Sequence, residues 1–221
     1  MPPARATGRK PANLAHERRL AAAGWSPVAG IDEAGRGAWA GPVAAGAVIL
    51  PLSAATLGRL RGLTDSKQLT AGARERYAEL IRGVASAWAV GWAEAAEIDA
   101  LGIVPATRLA MRRALDGLGV APGGLVIDAV RLPDVSARQD VFFFADAISL
   151  SVAAASVLAK TERDARMRGL DAACPGYGFG AHKGYGTAAH TAALGALGPC
   201  PEHRRTFRPV ALFCGGAGRE L

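Results

Sequence analysis

The chain has 221 residues, of which 50% are hydrophobic and 20% are charged, and this composition excludes a mostly disordered protein. Its 28 glycines follow no three-residue period, so a collagen-like rod is excluded as well. With 26 Lys and Arg against 19 Asp and Glu, the formal net charge is +7, which suits an anionic partner such as nucleic acid.

The cysteines and the apolar runs indicate the cellular compartment of the protein. Cys174, Cys200 and Cys214 form no C-x-x-C pair, so we expect free thiols in a reducing compartment rather than a disulfide framework or a zinc ribbon. No apolar run is long enough to span a membrane, and the basic N-terminus lacks the apolar core of a secretory signal. We therefore expect a cytoplasmic protein that does not bind membranes.

The first fifty residues predict a tail, a helix and a hairpin. Residues 1–12 are rich in proline and cations and predict a disordered basic tail, so residues 13–221 form the expected folded domain. A helix is expected at 13–23. The apolar runs 28–31 and 43–50 flank a glycine-rich acidic turn, which predicts two neighbouring strands.

Helices and strands alternate through the rest of the chain. In chain order we predict a helix at 71–84, a strand at 87–93, a helix at 103–118, strands at 125–128 and 141–144, a long alanine-rich helix from after residue 146 to about 170, and a short helix at 187–197. The tail at 199–213 is expected to be irregular. This order predicts an α/β fold with a helical C-terminal region from about residue 165.

Four carboxylates follow the apolar runs of predicted strands. Asp32 and Glu33 follow run 28–31; Asp128 and Asp146 each follow a later run. Ligand sites of open α/β sheets cluster at strand ends, so we expect these acids to converge. Carboxylates that close together repel each other unless a cation lies between them. Oxygen ligands favour Mg²⁺ or Mn²⁺, and such a site suits two-metal phosphodiester hydrolysis.

Each acid also has a simpler interpretation. Asp146 could cap the N-terminus of the long helix, because an aspartate accepts hydrogen bonds from free N–H groups there. Asp128 could begin a turn, and Asp32 and Glu33 could be turn residues. The three strand ends taken together favour the metal site.

The turn Gly35-Arg36-Gly37 comes directly after the first two acids. Glycines let a ligand approach the backbone closely, and an arginine between them can reach phosphate or sugar oxygens. Alone, this tripeptide is as well explained by a plain hairpin turn. Beside two acids, in a basic chain, it becomes a candidate for contacting nucleic acid.

Five segments occur in one order along residues 28–210. They read GIDEAGRGAWAGPV (30–43), TDSKQL (64–69), SLSVAAASVLAKTERD (149–164), PGYGFGAHKGYGT (175–187) and HRRTFRPV (203–210). Together they resemble the signature segments of the ribonuclease HII family, the type 2 ribonucleases H.

The resemblance implies a fold and an activity. The fold is ribonuclease H-like, with a central mixed β-sheet flanked by helices and a C-terminal helical extension, and it makes 13–221 the catalytic domain. The activity is hydrolysis of the RNA strand of RNA–DNA hybrids, together with nicking of duplex DNA on the 5′ side of a single ribonucleotide. The cut leaves 3′-hydroxyl and 5′-phosphate ends. We expect a monomer that needs Mg²⁺ or Mn²⁺.

The resemblance also implies roles for individual residues. The catalytic, metal-binding acids are Asp32, Glu33, Asp128 and Asp146, with the first and last bracketing the metals at the cut phosphate. The substrate-binding residues are Gly35, Arg36 and Gly37, which read the 2′-hydroxyl, Tyr185, which stacks on the next sugar, and Lys67 and Lys160, which hold phosphates. Each lysine could instead be a solvated surface cation.

The chain departs from the family pattern in two places. Ala129 follows the third acid where many relatives have glycine, and Ala147 and Ile148 follow the fourth where many have Ser and Lys. The acids themselves are present. The departures therefore affect only the supporting roles that the glycine, serine and lysine of many relatives would have beside them.

Aromatic and imidazole side chains leave alternatives open. The histidines at 182, 190 and 203 show no metal-binding spacing and are expected at the surface or near phosphates. The tryptophans at 39, 88 and 92 are expected to pack in the core or at a sheet edge, and the alternative is a stacking platform for bases.

Two other functions are alternatives to a metal-dependent ribonuclease. A non-catalytic module that binds hybrids or single strands would keep the cations and aromatics, but four converging acids would weaken its hold on phosphate. A resolvase- or transposase-like nuclease of the same fold would not need Gly35-Arg36-Gly37 or Tyr185.

Overall fold

A computed structural model describes residues 12–214. Five strands form its centre: β1 (Val28–Ala34), β2 (Val43–Ile49), β3 (Ala87–Ala93), β4 (Gly124–Asp128) and β5 (Arg138–Phe142). They form one sheet in the order β3-β2-β1-β4-β5. β1, β2 and β3 pair antiparallel, whereas β4 is parallel to β1 and β5 is parallel to β4, so the sheet is mixed as expected.

β1 and β2 form the predicted hairpin, and β1 continues beyond its apolar run. Asp32 pairs with Gly46 and Glu33 with Ala45, so both acids belong to the strand and not to the turn. Nearly every residue of the two strands is buried. Burial on both faces explains why they read as continuous apolar runs and not as alternating ones.

Nine helices surround the sheet in the described part of the chain. They are α1 (Ala15–Ala22), α2 (Ala54–Arg59), α3 (Ala71–Val84), α4 (Ala95–Leu101), α5 (Ile103–Asp116), α6 (Leu150–Ala173), α7 (Phe179–His182), α8 (Ala188–Leu197) and α9 (Arg208–Ala211). Short 3-10 turns lie at Ser66–Gln68 and Ala145–Ala147. Hydroxyl caps begin three of the longer helices, Thr70 for α3, Ser149 for α6 and Thr187 for α8, whereas α5 begins after Gly102 without a side-chain cap.

The helices form layers on both faces of the sheet. α5 packs on one face with Ala29 and Ile31 of β1, and α3 and α6 pack on the other with Val48 of β2. Helix α6 approaches so closely that a Cβ on Gly30 would lie 2.2 Å from the carbonyl carbon of Ser151. The alanine-rich stretch of α6 and the sheet glycines thus bring this helix against β1, where the acids lie.

Most predicted elements are confirmed, and one strand is placed wrongly. α3 and β3 have the predicted bounds, and the other predicted helices differ by a few residues at their ends. The strand predicted at 141–144 instead spans Arg138–Phe142. Its parallel register pairs Gly124 with Arg138 and Asp128 with Phe142, so β5 ends opposite the end of β4. Phe143 and Phe144 therefore leave the sheet and are exposed.

Short helices were not predicted. α2, α4, α7 and α9 have four to seven residues, too few to show a helical period, and α9 lies within the tail expected to be irregular. The three cysteines are free thiols, as expected. Among the described residues, no helix is long and apolar enough to cross a membrane.

The predicted basic tail lies outside the described residues, apart from Ala12. That residue is buried against the cluster formed by α3 and α6.

Candidate active site

Parallel strands bring the predicted acids to one edge of the sheet. Asp32 and Glu33 lie near the end of β1, and Asp128 is the last residue of the neighbouring strand β4. Asp146 lies in the 3-10 turn that follows β5, the next strand along. Because the three strands run in the same direction, their carboxyl ends and these four acids lie at the same edge.

Hydrogen bonds join the segments that carry the acids. The carboxylate of Asp128 accepts from the N–H of Ala145 at 3.1 Å, which ties β4 to the turn holding Asp146. Asp32 accepts a hydrogen bond from Ser156 of α6. The Ser156 hydroxyl lies 2.9 Å from that of Ser66, so helix α6 links β1 to the turn Ser66–Gln68.

The simpler interpretation of Asp146 as a helix cap is wrong. Helix α6 begins four residues later, and its N-cap is Ser149, whose hydroxyl accepts from the N–H of Val152 at 3.2 Å. The Asp146 side chain is instead buried beside other carboxylates.

Crowding and burial raise the pKa of three of these acids. Burial, followed by the charge of Glu33, raises the pKa of Asp32 well above its usual value, although Ser156 opposes the shift. Burial also raises the pKa of Glu33, against the opposing charge of Arg36. The pKa of Asp146 is raised to about 6 by burial, then by Asp65 and Asp128. These are carboxylates whose negative charge is poorly compensated by the protein itself.

A fifth carboxylate, Asp65, was missed as a site residue. It lies in the TDSKQL segment, where its side chain accepts from the N–H of Lys67 at 2.9 Å and forms a hydrogen bond with Asp146. Burial lowers the pKa of Lys67, but the charges of Asp65 and Asp32 raise it overall. Lys67 is therefore an exposed cation close to the acids.

Seven of the ten predicted site residues line one cleft of about 550 Å³. These are Glu33, Gly35, Arg36, Gly37, Lys67, Lys160 and Tyr185. Ser66, Arg74 and Ser156, which were not predicted, line it as well. The cleft thus combines a carboxylate, a glycine-rich loop, cations and an aromatic ring.

Two buried arginines lie beneath the glycine-rich loop, and Arg204 holds it by hydrogen bonds while Arg163 packs against Gly35. Arg204 donates to the carbonyls of Gly35 at 2.8 Å and Arg36 at 2.9 Å, and also to that of Gly41. Gly35 has φ +88°, and a Cβ there would lie 1.9 Å from Nε of Arg163. Both its conformation and its close neighbour therefore require glycine at this position.

Tyr185 is partly exposed beside the loop. Its ring lies 5.5 Å from the guanidinium of Arg163 and 5.9 Å from Nζ of Lys160. Arg163 also donates to the carbonyl of Lys183 at 2.9 Å, close to Tyr185 in the chain. Lys160 forms an ion pair with Asp164, so any phosphate contact of Lys160 would be made by a cation already paired.

The expectation of surface histidines is wrong for two of the three. His190 and His203 are fully buried, and their Nε2 atoms lie 3.0 Å apart. Trp88 lies on the edge strand β3 and is exposed beside Arg82. Trp92 and Trp39 are partly buried, beside Arg166 and His190.

Comparison with known proteins identifies the family. The family model described as ribonuclease HII matches residues 29–210. The chain belongs to the ribonuclease HII family. Members of this family are divalent-metal-dependent endonucleases that cut the RNA of RNA–DNA hybrids.

Relatives with the name ribonuclease HII cover most of the chain. The protein from Chloroflexus aurantiacus is 53% identical over 199 residues, which is 90% of this chain and 94% of that protein. The one from Nitrosococcus oceani is 52% identical over 190 residues, or 84% of this chain and 90% of that protein. The crystal structure of ribonuclease H2 from Pyrococcus horikoshii has a TM-score of 0.68 and 27% identity, over 84% of this chain and 96% of that one. The ribonuclease H fold expected from the sequence is thus confirmed.

Proposed function

We propose that this ribonuclease HII nicks duplex DNA on the 5′ side of a single embedded ribonucleotide, as well as cutting longer hybrids, with two Mg²⁺ or Mn²⁺ ions held by Asp32, Glu33, Asp128 and Asp146. The products are 3′-hydroxyl and 5′-phosphate ends. The observation that carries the proposal is the convergence of these acids at the edge of a cleft that also contains Gly35-Arg36-Gly37 and Tyr185.

The carboxylates suit a hard divalent cation. Oε2 of Glu33 is buried without a hydrogen-bond partner, and the raised pKa values of Asp32 and Asp146 reflect negative charges that a cation would stabilise. Within the described residues, no three His, Cys, Asp or Glu side chains already form a cage. An ion held here would therefore also use water or substrate oxygens, as Mg²⁺ commonly does. Such ions polarise a phosphate and lower the pKa of a bound water.

The other residues of the cleft have groups suited to binding a 2′-hydroxyl and a phosphate. Arg204 draws the carbonyls of Gly35 and Arg36 inward, so the loop keeps one shape at the place where a sugar would approach. A 2′-hydroxyl both donates and accepts hydrogen bonds, and it is the group that distinguishes RNA from DNA at one site. Lys67 adds a cation next to the acids, where the cut phosphate would lie.

The test uses a duplex with one ribonucleotide, incubated with Mg²⁺, with Mn²⁺ or with EDTA, followed by mapping of the cut ends. We expect a single nick 5′ of the ribonucleotide that EDTA abolishes. Asp32→Asn should lose nearly all cleavage but bind the duplex as well as wild type or more tightly, because it removes a negative charge near phosphate. Asp116→Asn, at the exposed end of α5, is the matched control and should cut normally.

If Asp32→Asn cleaved at the wild-type rate, Asp32 would not be a metal ligand. Binding without any metal-dependent cleavage by the wild-type protein would instead favour the non-catalytic binding module.

A further inference from the structure

The loop that carries Tyr185 is supported from the protein interior by two imidazoles. Nδ1 of His190 lies 3.0 Å from the carbonyl oxygen of Tyr185. On the other side of the ring, Nε2 of His190 lies 3.0 Å from Nε2 of His203. Nδ1 of His203 in turn lies 3.0 Å from the backbone nitrogen of Cys200. The Tyr185 carbonyl, the two imidazole rings and the Cys200 N–H therefore form one continuous hydrogen-bonded chain.

The two ends of this chain determine where the protons lie. The Cys200 N–H can only donate, so Nδ1 of His203 accepts and the His203 proton is on Nε2. The Cys200 thiol, whose Sγ lies 3.2 Å from the same Nδ1, can also donate to it, because burial raises its pKa to about 11. The Tyr185 carbonyl can only accept, so His190 carries its proton on Nδ1 and its Nε2 is an acceptor. Both conditions require the same middle bond, in which His203 Nε2–H donates to His190 Nε2. Every donor then meets an acceptor, and both rings are neutral.

The surroundings favour the neutral rings. Burial, followed by the charge of His190, lowers the pKa of His203 to about 4, and burial lowers that of His190. His182 stacks on His190 at 4.4 Å, and Arg205 adds a positive charge that disfavours protonation of His203. A proton added to His190 would also point two N–H groups at each other.

We propose that His203 and His190 form a one-way hydrogen-bond relay that positions Tyr185 for reading the sugar next to the ribonucleotide. Both are positioning residues: they act through the Tyr185 carbonyl and touch no substrate. The inference rests on the role of Tyr185 in the proposed function.

Imidazole tautomers test the relay without any activity measurement. In protein labelled with ¹⁵N-histidine, NMR at pH 7 should show His203 protonated on Nε2 and His190 protonated on Nδ1. The four histidines can be assigned from single-residue variants. A His203 ring protonated on Nδ1, or a doubly protonated His190 or His203, would overturn the relay even if the nuclease proposal held. The correct tautomers would stand even if the nuclease proposal failed.

Substitutions test whether the relay positions Tyr185. His190→Phe keeps an aromatic ring but removes the donor, and His190→Asn keeps an N–H near the position of Nδ1. We expect His190→Phe to lower the ratio of cleavage rates on single-ribonucleotide duplex and on all-RNA hybrid by about fivefold, the equivalent of one ordinary hydrogen bond. His190→Asn should restore most of the ratio, and the Mg²⁺ concentration for half-maximal rate should stay unchanged in both.

His16→Phe is the matched control, because His16 packs against Phe142 of β5, away from the Tyr185 loop. It should keep the wild-type ratio. If both His190 variants keep that ratio, or both lose it equally, the ring is only packing and the proposal is wrong. Should His190→Phe fail to fold, the tautomers and the His190→Asn ratio decide the question.

Discussion

Asp146 is a buried carboxyl group that the protein alone stabilises poorly. Its pKa is raised to about 6, first by burial and then by Asp65 and Asp128. A raised acid pKa means that the folded state binds more protons than the unfolded state. The contribution of Asp146 to the stability of the metal-free protein therefore falls as the pH rises from about 4 through 6, and it is lost at higher pH.

Removing this charge should stabilise the metal-free protein. In EDTA at pH 7.5 we expect Asp146→Asn to raise the free energy of unfolding by about 1 kcal/mol, less than the full equivalent of the shift because the cleft is open to solvent. The gain should shrink as the pH falls from 6 to 4. Urea denaturation across this pH range measures it, with Asp116→Asn as the control, and a gain independent of pH would contradict the explanation.

Tyr185 offers a second test at the level of one residue. A lone 2′-hydroxyl hardly changes the shape of a duplex. To recognise a single ribonucleotide, the protein must therefore also distinguish the next sugar, which has no 2′-hydroxyl. Tyr185→Ala should therefore reduce cleavage of a single-ribonucleotide duplex roughly tenfold more than cleavage of an all-RNA hybrid, the equivalent of a lost stacking contact. Comparing the two rates measures this. An equal fall on both substrates would make Tyr185 a general positioning residue.

Among the elements, helix α6 and the hairpin of β1 and β2 depend on each other. The helix carries Ser156, which bonds Asp32, so its distance from the sheet affects the acids directly. That distance is possible only because the sheet presents glycine: a Cβ on Gly46 would lie 2.3 Å from the carbonyl oxygen of Ala155.

Gly46→Ala should destabilise the protein by about 1–3 kcal/mol, because a rigid backbone group blocks the added methyl. Gly169→Ala lies near the C-terminal end of α6, where the added methyl would have no neighbour within 4 Å. It should instead stabilise the protein by up to about 1 kcal/mol through its helix preference. Urea denaturation of both variants checks the pair. Equal effects would show that packing against α6 is looser than the geometry implies.

The net charge of the whole molecule affects its affinity for nucleic acid. A net charge of +7 attracts a polyanion, while the acids at the cleft repel phosphate locally until a cation is bound. Binding should therefore weaken steeply as salt rises, because lysine and arginine contacts release condensed counterions.

Lys67 should contribute to this dependence because it lies beside the acids. In EDTA, Lys67→Gln should reduce the slope of log affinity against log salt by roughly 0.9, the value for one phosphate contact. Arg112→Gln, on the opposite face of the sheet and paired with Asp134, should leave the slope unchanged. Titrations at several salt concentrations provide the comparison. An unchanged slope for Lys67→Gln would make that lysine a solvated cation.

Local patterns were enough to predict most of the elements and the acids. β3 and α3 have their predicted bounds because alternation and helical period are properties of consecutive residues. Asp32, Glu33 and Asp128 could be recognised because a charge directly after an apolar run is unusual. β5 was misplaced because its bounds depend on pairing with β4, and the phenylalanines at 142–144 look equally apolar until that register is known.

What the sequence by itself determined was the family and most of the elements, and it also singled out the candidate site residues, since all of these depend on short segments. Only the tertiary structure decided what supports them: Asp65 beside Asp146, Arg204 beneath Gly35, and His203 behind Tyr185. The physical reason is distance along the chain. Arg204 and Gly35 are 169 residues apart, and neither the burial of a charged or imidazole side chain nor its partner can be inferred from its immediate neighbours.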